Sequence, residues 1–199
     1  KAAGYHRSAP SVCENMSPVP SIRFQAKLHR PAGVEKDAVW TFLNLPQEAS
    51  DQLPSRGMVS VEGMINGSPF QATLEPDGAG GHWLKVEKEL GESAGVKAGE
   101  IVAFEIAPMA EEPEPKIPAE IQAALASAPP KAQQVWASIT PVARRDWVQW
   151  ITSAKKEETR AKRLENACDM LAKGKKRPCC FDRSGMYSKS LSCPLPEPD

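Results

Sequence analysis

From Met58 to Leu74 polar and apolar positions alternate with a period of two. Met58, Ser60, Glu62 and Met64 fall on one side of a pleat and Val59, Val61, Gly63 and Ile65 on the other, as in a strand with one buried face. Asn66-Gly67 supplies the pair that tolerates the left-handed conformation of a type I′ turn, and Phe70, Ala72 and Leu74 resume the alternation beyond it, so a tight hairpin is predicted. The same period marks an opening strand, with Ile22, Phe24, Ala26 and Leu28 set against Arg23, Gln25, Lys27 and His29. Further strands are predicted over Ala38–Leu43, Trp83–Val86 and Ile101–Ile106, with a helical turn at Gln47–Gln52 and a short helix at Glu87–Ala94. Pro76-Asp77-Gly78 ends the hairpin. About six short strands joined by glycine turns argue for a small closed β-barrel over residues 21–107.

The pattern then changes. Residues 108–117, within the string APMAEEPEPKIP, are rich in proline and glutamate and read as a solvated linker. Beyond it the apolar period is helical. Ile121, Leu125 and Ala128 share a stripe after Pro118, Pro129-Pro130 stops that helix, and Lys131–Ser138 forms the next. Thr140 followed by Pro141 is an N-cap and first-turn pair, opening a helix whose Ala143, Trp147, Trp150, Ile151 and Ala154 form one face. A last helix, from about Glu158 to Lys173, aligns Ala161, Leu164, Cys168 and Leu171 and ends at Gly174. Residues 118–174 are therefore a three- to four-helix module, and the fold class is α+β. Residues 175–199 are a basic and then proline-rich tail, with the last nine residues read as loose. Residues 1–20 have no periodicity and read as a disordered leader, with Met16 as the natural start.

Charge changes this picture more than bulk composition does. The chain has 25 Lys/Arg and 25 Asp/Glu, yet residues 32–115 carry a net −10 and residues 131–189 a net +8. An acidic barrel and a basic helical module could dock on each other, or leave a basic face for an anionic partner. No apolar run approaches the length of a membrane span, and the first 20 residues lack a secretory pattern. The five cysteines, Cys13, Cys168, Cys179, Cys180 and Cys193, are an odd set with two adjacent, which suits reduced thiols in a cytoplasmic protein.

The string RGMVSVEGMINGSPFQATLEPDG followed by GHWLKVEKEL resembles the small β-barrel domain of unknown function that precedes a YdeI/OmpD-associated, bacteriocin-protection helical module. The resemblance extends from Ile22 to Tyr187. It implies a double-split-type barrel followed by that module, and a role in protection against antimicrobial peptides. It implies no particular reaction.

Candidate chemistry is sparse. Arg56, beside Gly57, could clamp a carboxylate or phosphate; the alternative is a salt bridge to the acidic barrel surface. His82 and Trp83 could face a pocket at the barrel rim, or His82 could be a strand-end residue bonded to backbone. Gly78-Ala79-Gly80-Gly81 could form an anion nest, but it lacks phosphate-loop spacing and precedes a strand. Cys179 and Cys180 lie among Lys175, Lys176, Arg177 and Arg183, which favour thiolates and mark a redox candidate; packing is the ordinary role of such thiols. Arg144, Arg145, Lys155, Lys156, Arg160, Lys162, Arg163 and the run Lys173–Arg177 raise nucleic-acid binding, against a solvated helix face laced with acids. No metal-ligand spacing, no cofactor motif and no nucleophile motif is present in the sequence. The expected function is that of an accessory or stress-protection protein binding a small anionic molecule or a peptide at the barrel rim through Arg56, His82 and Trp83. The alternatives are nucleic-acid binding by the helical module and a thiol redox sensor at Cys179 and Cys180.

Overall fold

The computed structural model describes residues 21–33, 40–179, 181–187 and 191–198. The predicted leader, the first residues of the predicted second strand and Cys180 lie outside the described residues. The N-terminal half is built from strands β1 (Ile22–Lys27), β2 (Thr41–Asn44), β3 (Val59–Ile65), β4 (Ser68–Pro76), β5 (His82–Val86) and β6 (Ile101–Pro108), with short helices α1 (Gln47–Ser50) and α2 (Lys88–Ala94). All pairings are antiparallel, in the order β1-β6-β3-β4-β5-β2. The two outer strands approach each other through an isolated bridge between His29 and Phe42, which leaves a nearly closed barrel.

The hairpin forms where the sequence places it. Val59 pairs with Leu74 and Ile65 with Ser68, and Asn66 and Gly67 take φ of 47° and 84°, the left-handed pair a two-residue turn requires. Val59, Val61 and Ile65 point inward with Leu28, Leu74, Leu84, Phe104 and Ile106. Removing each such side chain from water contributes about 1.5–3 kcal/mol. Phe24 stacks on Phe104 at 5.3 Å and Phe70 meets that ring edge-on at 6.5 Å.

Helices α3 (Ala119–Ser127), α4 (Pro130–Ser138), α5 (Pro141–Thr152) and α6 (Glu157–Ala172) make the second half. Thr140 Oγ1 accepts from the backbone N–H of Ala143 at 3.3 Å, capping α5 as expected. Ile121, Leu125, Ala143, Trp147, Ile151, Ala167 and Leu171 form a second core, separate from that of the barrel. Ala161, predicted on the buried stripe of α6, is exposed, and Ala167 takes its share of the contact.

Two segments read from sequence as loose are tied down. Met109 continues the ladder beyond β6 by donating to the Ser60 carbonyl at 2.9 Å. In the tail, Ala32 N–H donates to Leu195 O (2.7 Å) and Glu197 N–H to Arg30 O (2.9 Å), and Pro31 bridges Pro196. The tail thus lies along the barrel as a short strap, held by backbone bonds that composition does not reveal.

Gly63 faces inward where β3 and β6 cross closely. A Cβ there would press on the Glu105 carbonyl oxygen and sit 2.9 Å from Ile106 Cα, so backbone must move. Gly63→Val is expected to cost at least about 2 kcal/mol in urea-unfolding free energy. Gly67→Ala, where nothing lies within 4 Å and only backbone conformation is strained, is expected to cost about 1–2 kcal/mol.

Candidate functional site

Three consecutive charged residues on α5 each reach a different part of the chain. Arg144 donates to the Trp136, Ala137 and Ile139 carbonyls at 3.2, 3.2 and 2.8 Å, closing the end of α4, and pairs with Glu114 of the linker. Asp146 accepts from Arg177 at 2.8 Å and Arg183 at 3.2 Å, fastening the tail. Arg145 crosses to the barrel. Its guanidinium donates to the Met58 carbonyl at 2.8 Å and to Ser60 Oγ at 3.1 Å, and pairs with Glu112. Ser60, on the outward face of β3, is buried because this cluster covers it.

Burial governs the electrostatics here. It pulls Arg145 below its ordinary value, against the attraction of Glu112 and Asp146. It also pushes Asp146 up, against the pull of Arg183, Arg177 and Arg145. A buried charge of this kind is tolerated only when its partners stay in place. One valence is left over: Arg145 is 9% exposed, and its Nε has no hydrogen-bond partner among the described residues.

Arg145 lines a cleft of about 430 Å³ between the two halves. Its lining draws Met58 and Glu75 from the barrel, Val148, Gln149 and Thr152 from α5, Lys116 from the linker and Leu191 from the tail. Glu75 points outward from β4, and burial raises its carboxyl above the usual range, opposed by Lys85. Lys85 is itself engaged, with Glu87 at 2.8 Å and over the Trp40 ring at 4.9 Å. The lining of the cleft therefore includes a donor, Arg145, an acceptor, Glu75, and the apolar side chains of Met58, Val148 and Leu191.

The residues singled out from sequence are distributed differently. Arg56 is exposed and forms no ion pair among the described residues. His82 is 1% exposed, with Nε2 3.0 Å from the Gly57 carbonyl, so Nε2 donates and Nδ1 is left without a partner among the described residues. Trp83 is 7% exposed on the opposite face of β5, edge-on to Phe42 at 6.3 Å, and its Nε1 also lacks a partner among the described residues. Consecutive strand residues face opposite ways: His82 steadies the loop that carries Arg56, while Trp83 lies on the outer sheet surface. The glycine loop's N–H groups are turned inward to Asp77, whose Oδ1 accepts from Ala79 at 2.7 Å and Gly81 at 2.9 Å.

Cys179 is exposed. Of the basic stripe, Arg163 donates to the Trp150 carbonyl and to Ser153 Oγ, and Arg144 and Arg145 are engaged as described. Among the described residues no group of three or more His, Cys, Asp or Glu could hold a metal ion, and no helix is long and apolar enough to cross a membrane. The cleft itself escaped the sequence reading. Its one local signal is the polar row Arg145, Gln149 and Thr152 at i, i+4 and i+7 beside the tryptophan stripe.

His82 gives a pH dependence of definite sign. Burial lowers its value below 6.5, against the hydrogen bonding of its ring to the Gly57 and Ser55 backbone. The unfolded chain therefore takes up the proton first, and stability falls as pH drops below about 6.5. Between pH 7 and 5, unfolding free energy should fall less steeply in His82→Gln than in the parent chain; parallel slopes would contradict the assignment.

Comparison with known proteins adds the family. Residues 24–106 match the profile of a domain of unknown function, DUF1905, and residues 114–174 match the profile described as Bacteriocin-protection, YdeI or OmpD-Associated. No curated protein matches the chain. The chain thus joins a DUF1905 barrel domain to a helical module of the YdeI/OmpD-associated family.

Proposed function

We propose that this chain is a binding protein whose ligand, a short peptide segment, occupies the cleft between barrel and helical module, and that capture of such peptides is its protective role. The carrying observation is the unpartnered, buried Nε of Arg145 in a cleft whose lining also includes Glu75. Peptide backbone supplies the matching acceptor and donor along one extended strand. The volume of about 430 Å³ lies within the ordinary range of ligand sites, roughly 300–1,000 Å³. The description of the helical module's family, bacteriocin protection, supports a peptide over a small anion. A cytoplasmic location is part of the proposal. It is supported by Cys168, Cys179 and Cys193, none of which forms a disulfide among the described residues, as suits a reduced chain.

A second reading keeps a small anionic ligand at the barrel rim, on Arg56, His82 and Trp83. Its support is that His82 Nδ1, beside the loop that carries Arg56, is a buried polar atom with no partner among the described residues; Trp83 faces the other side of β5 and adds nothing to it.

One experiment separates the two. A random pentapeptide library is passed over the immobilised full chain, over Thr152→Trp, which fills the cleft from an exposed position on α5, and over Arg56→Ala. Enrichment by the parent chain, a loss of about tenfold in Thr152→Trp (~1.4 kcal/mol) and retention in Arg56→Ala are expected. Equal enrichment by Thr152→Trp, or loss in Arg56→Ala, would move the site out of the cleft.

A further inference from the structure

Phe42 and Trp83 are buried, at 0% and 7% exposure, yet neither belongs to either hydrophobic core. Both lie on the outer face of the barrel, because their chain neighbours Leu43 and Leu84 point into it. The tail runs across this face. In the sheet register Trp83 sits between Asn44 of β2 and Glu75 of β4, and the tail reaches both sides of it. Leu191 and Ser192 share the lining of the cleft with Glu75, and Cys193 Sγ donates to Asn44 Oδ1 at 2.8 Å. Residues 195–197 then pair with residues 30–32, next to the bridge between His29 and Phe42. The stretch Pro194-Leu195-Pro196 therefore crosses an aromatic strip of Trp83, Phe42 and, 6.4 Å from Phe42, Trp40. The fit is incomplete: Trp83 Nε1 has no hydrogen-bond partner among the described residues.

We infer that this outer face of β2 and β5 is a docking groove for extended proline-rich segments, which the chain's own tail fills as an internal ligand and a proline-rich strand of a partner protein can replace. Aromatic rings suit such strands, because a polyproline helix is already stiff before it binds and loses little freedom on docking. Proline also lacks the N–H that would pair with a carbonyl, so the strand carries spare acceptors for an indole donor. The tail leaves that donor buried and unsatisfied, an arrangement folded chains avoid. A strand that lays a carbonyl against Trp83 Nε1 makes one bond more than the tail does. The tail is held over this stretch by the backbone bonds of Ala32 and Glu197 and by the Cys193 thiol, contacts that a second strand of the same kind can reproduce. The groove lies outside the peptide cleft and does not depend on it.

The test reads Trp83 through its indole Nε1–Hε1 resonance in the full chain, assigned by its loss in Trp83→Phe. The tail is loosened by Cys193→Asp, which places a carboxylate near Asp77 and Glu75, together with Glu197→Pro, which removes the N–H bonded to Arg30. Release shows as fast hydrogen exchange at the Ala32 amide, the donor to Leu195; an amide that stays protected would overturn the inference. The probes are acetyl-Ser-Pro-Leu-Pro-Glu-Pro-amide, which follows residues 193–198 with serine for the cysteine, and the same peptide with alanine at each proline. The proline peptide is expected to shift the Trp83 resonance saturably in the released chain. Its binding to the parent, whose tethered tail competes, and the binding of the alanine peptide to the released chain should each be weaker by about tenfold or more. Equal binding of the two peptides, equal binding to parent and released chains, or an unmoved Trp83 resonance would each contradict it. Where far-ultraviolet circular dichroism shows the double variant unfolded, the same comparison is made with Glu197→Pro alone.

Discussion

One buried guanidinium holds the two halves of this molecule in register. Arg145 leaves α5, crosses the boundary, and finds its acceptors on the first residues of β3 and on a glutamate of the linker. Each half has its own hydrophobic core, so apolar burial alone does not specify their mutual position. Directional bonds from a charge that cannot be left unpaired do. Removing one member of such a buried pair typically costs about 3–5 kcal/mol, far more than an exposed ion pair contributes, about 0–1 kcal/mol. Asp146, one residue on, does the same for the tail through Arg177 and Arg183.

From that docking follows the cleft, and from the cleft the chemistry. Its walls come from a strand end, a linker, a helix and a tail, none of which has a pocket of its own at that place. The acidic barrel and basic helical module, evident as a charge split, meet here in specific form: linker glutamates Glu112 and Glu114 face Arg145 and Arg144. The split is thus partly an adhesive between modules. Cations used in this way are withdrawn from a nucleic-acid face, which weakens the reading of the helical half as a phosphate binder.

What was legible in the sequence was local. Asn66-Gly67 fixes its hairpin because few residue pairs tolerate that backbone, and Thr140-Pro141 starts α5 because a cap and a preset φ act within four residues. The barrel and its helical companion followed from periodicity. What stayed hidden was long-range. Ser60 reads as a solvent-facing strand residue and is buried by a helix 85 positions away. Asp77 fills the glycine loop that looked ready for an external anion. The linker and tail have the composition of loose segments and are held by backbone bonds and ion pairs to partners far along the chain. Glu75, the acid of the cleft, has no motif around it; its environment is set first by burial and then by Lys85 on the neighbouring strand.

The docking is tested most directly by residual dipolar couplings of backbone amides in a weakly aligned sample of the full chain. Couplings from the barrel strands and from α3–α6 are expected to fit a single alignment tensor, and to separate into two when Arg145→Met removes the crossing charge. Two distinct tensors for the parent chain would contradict the account, since the halves would then move independently and no fixed cleft would lie between them.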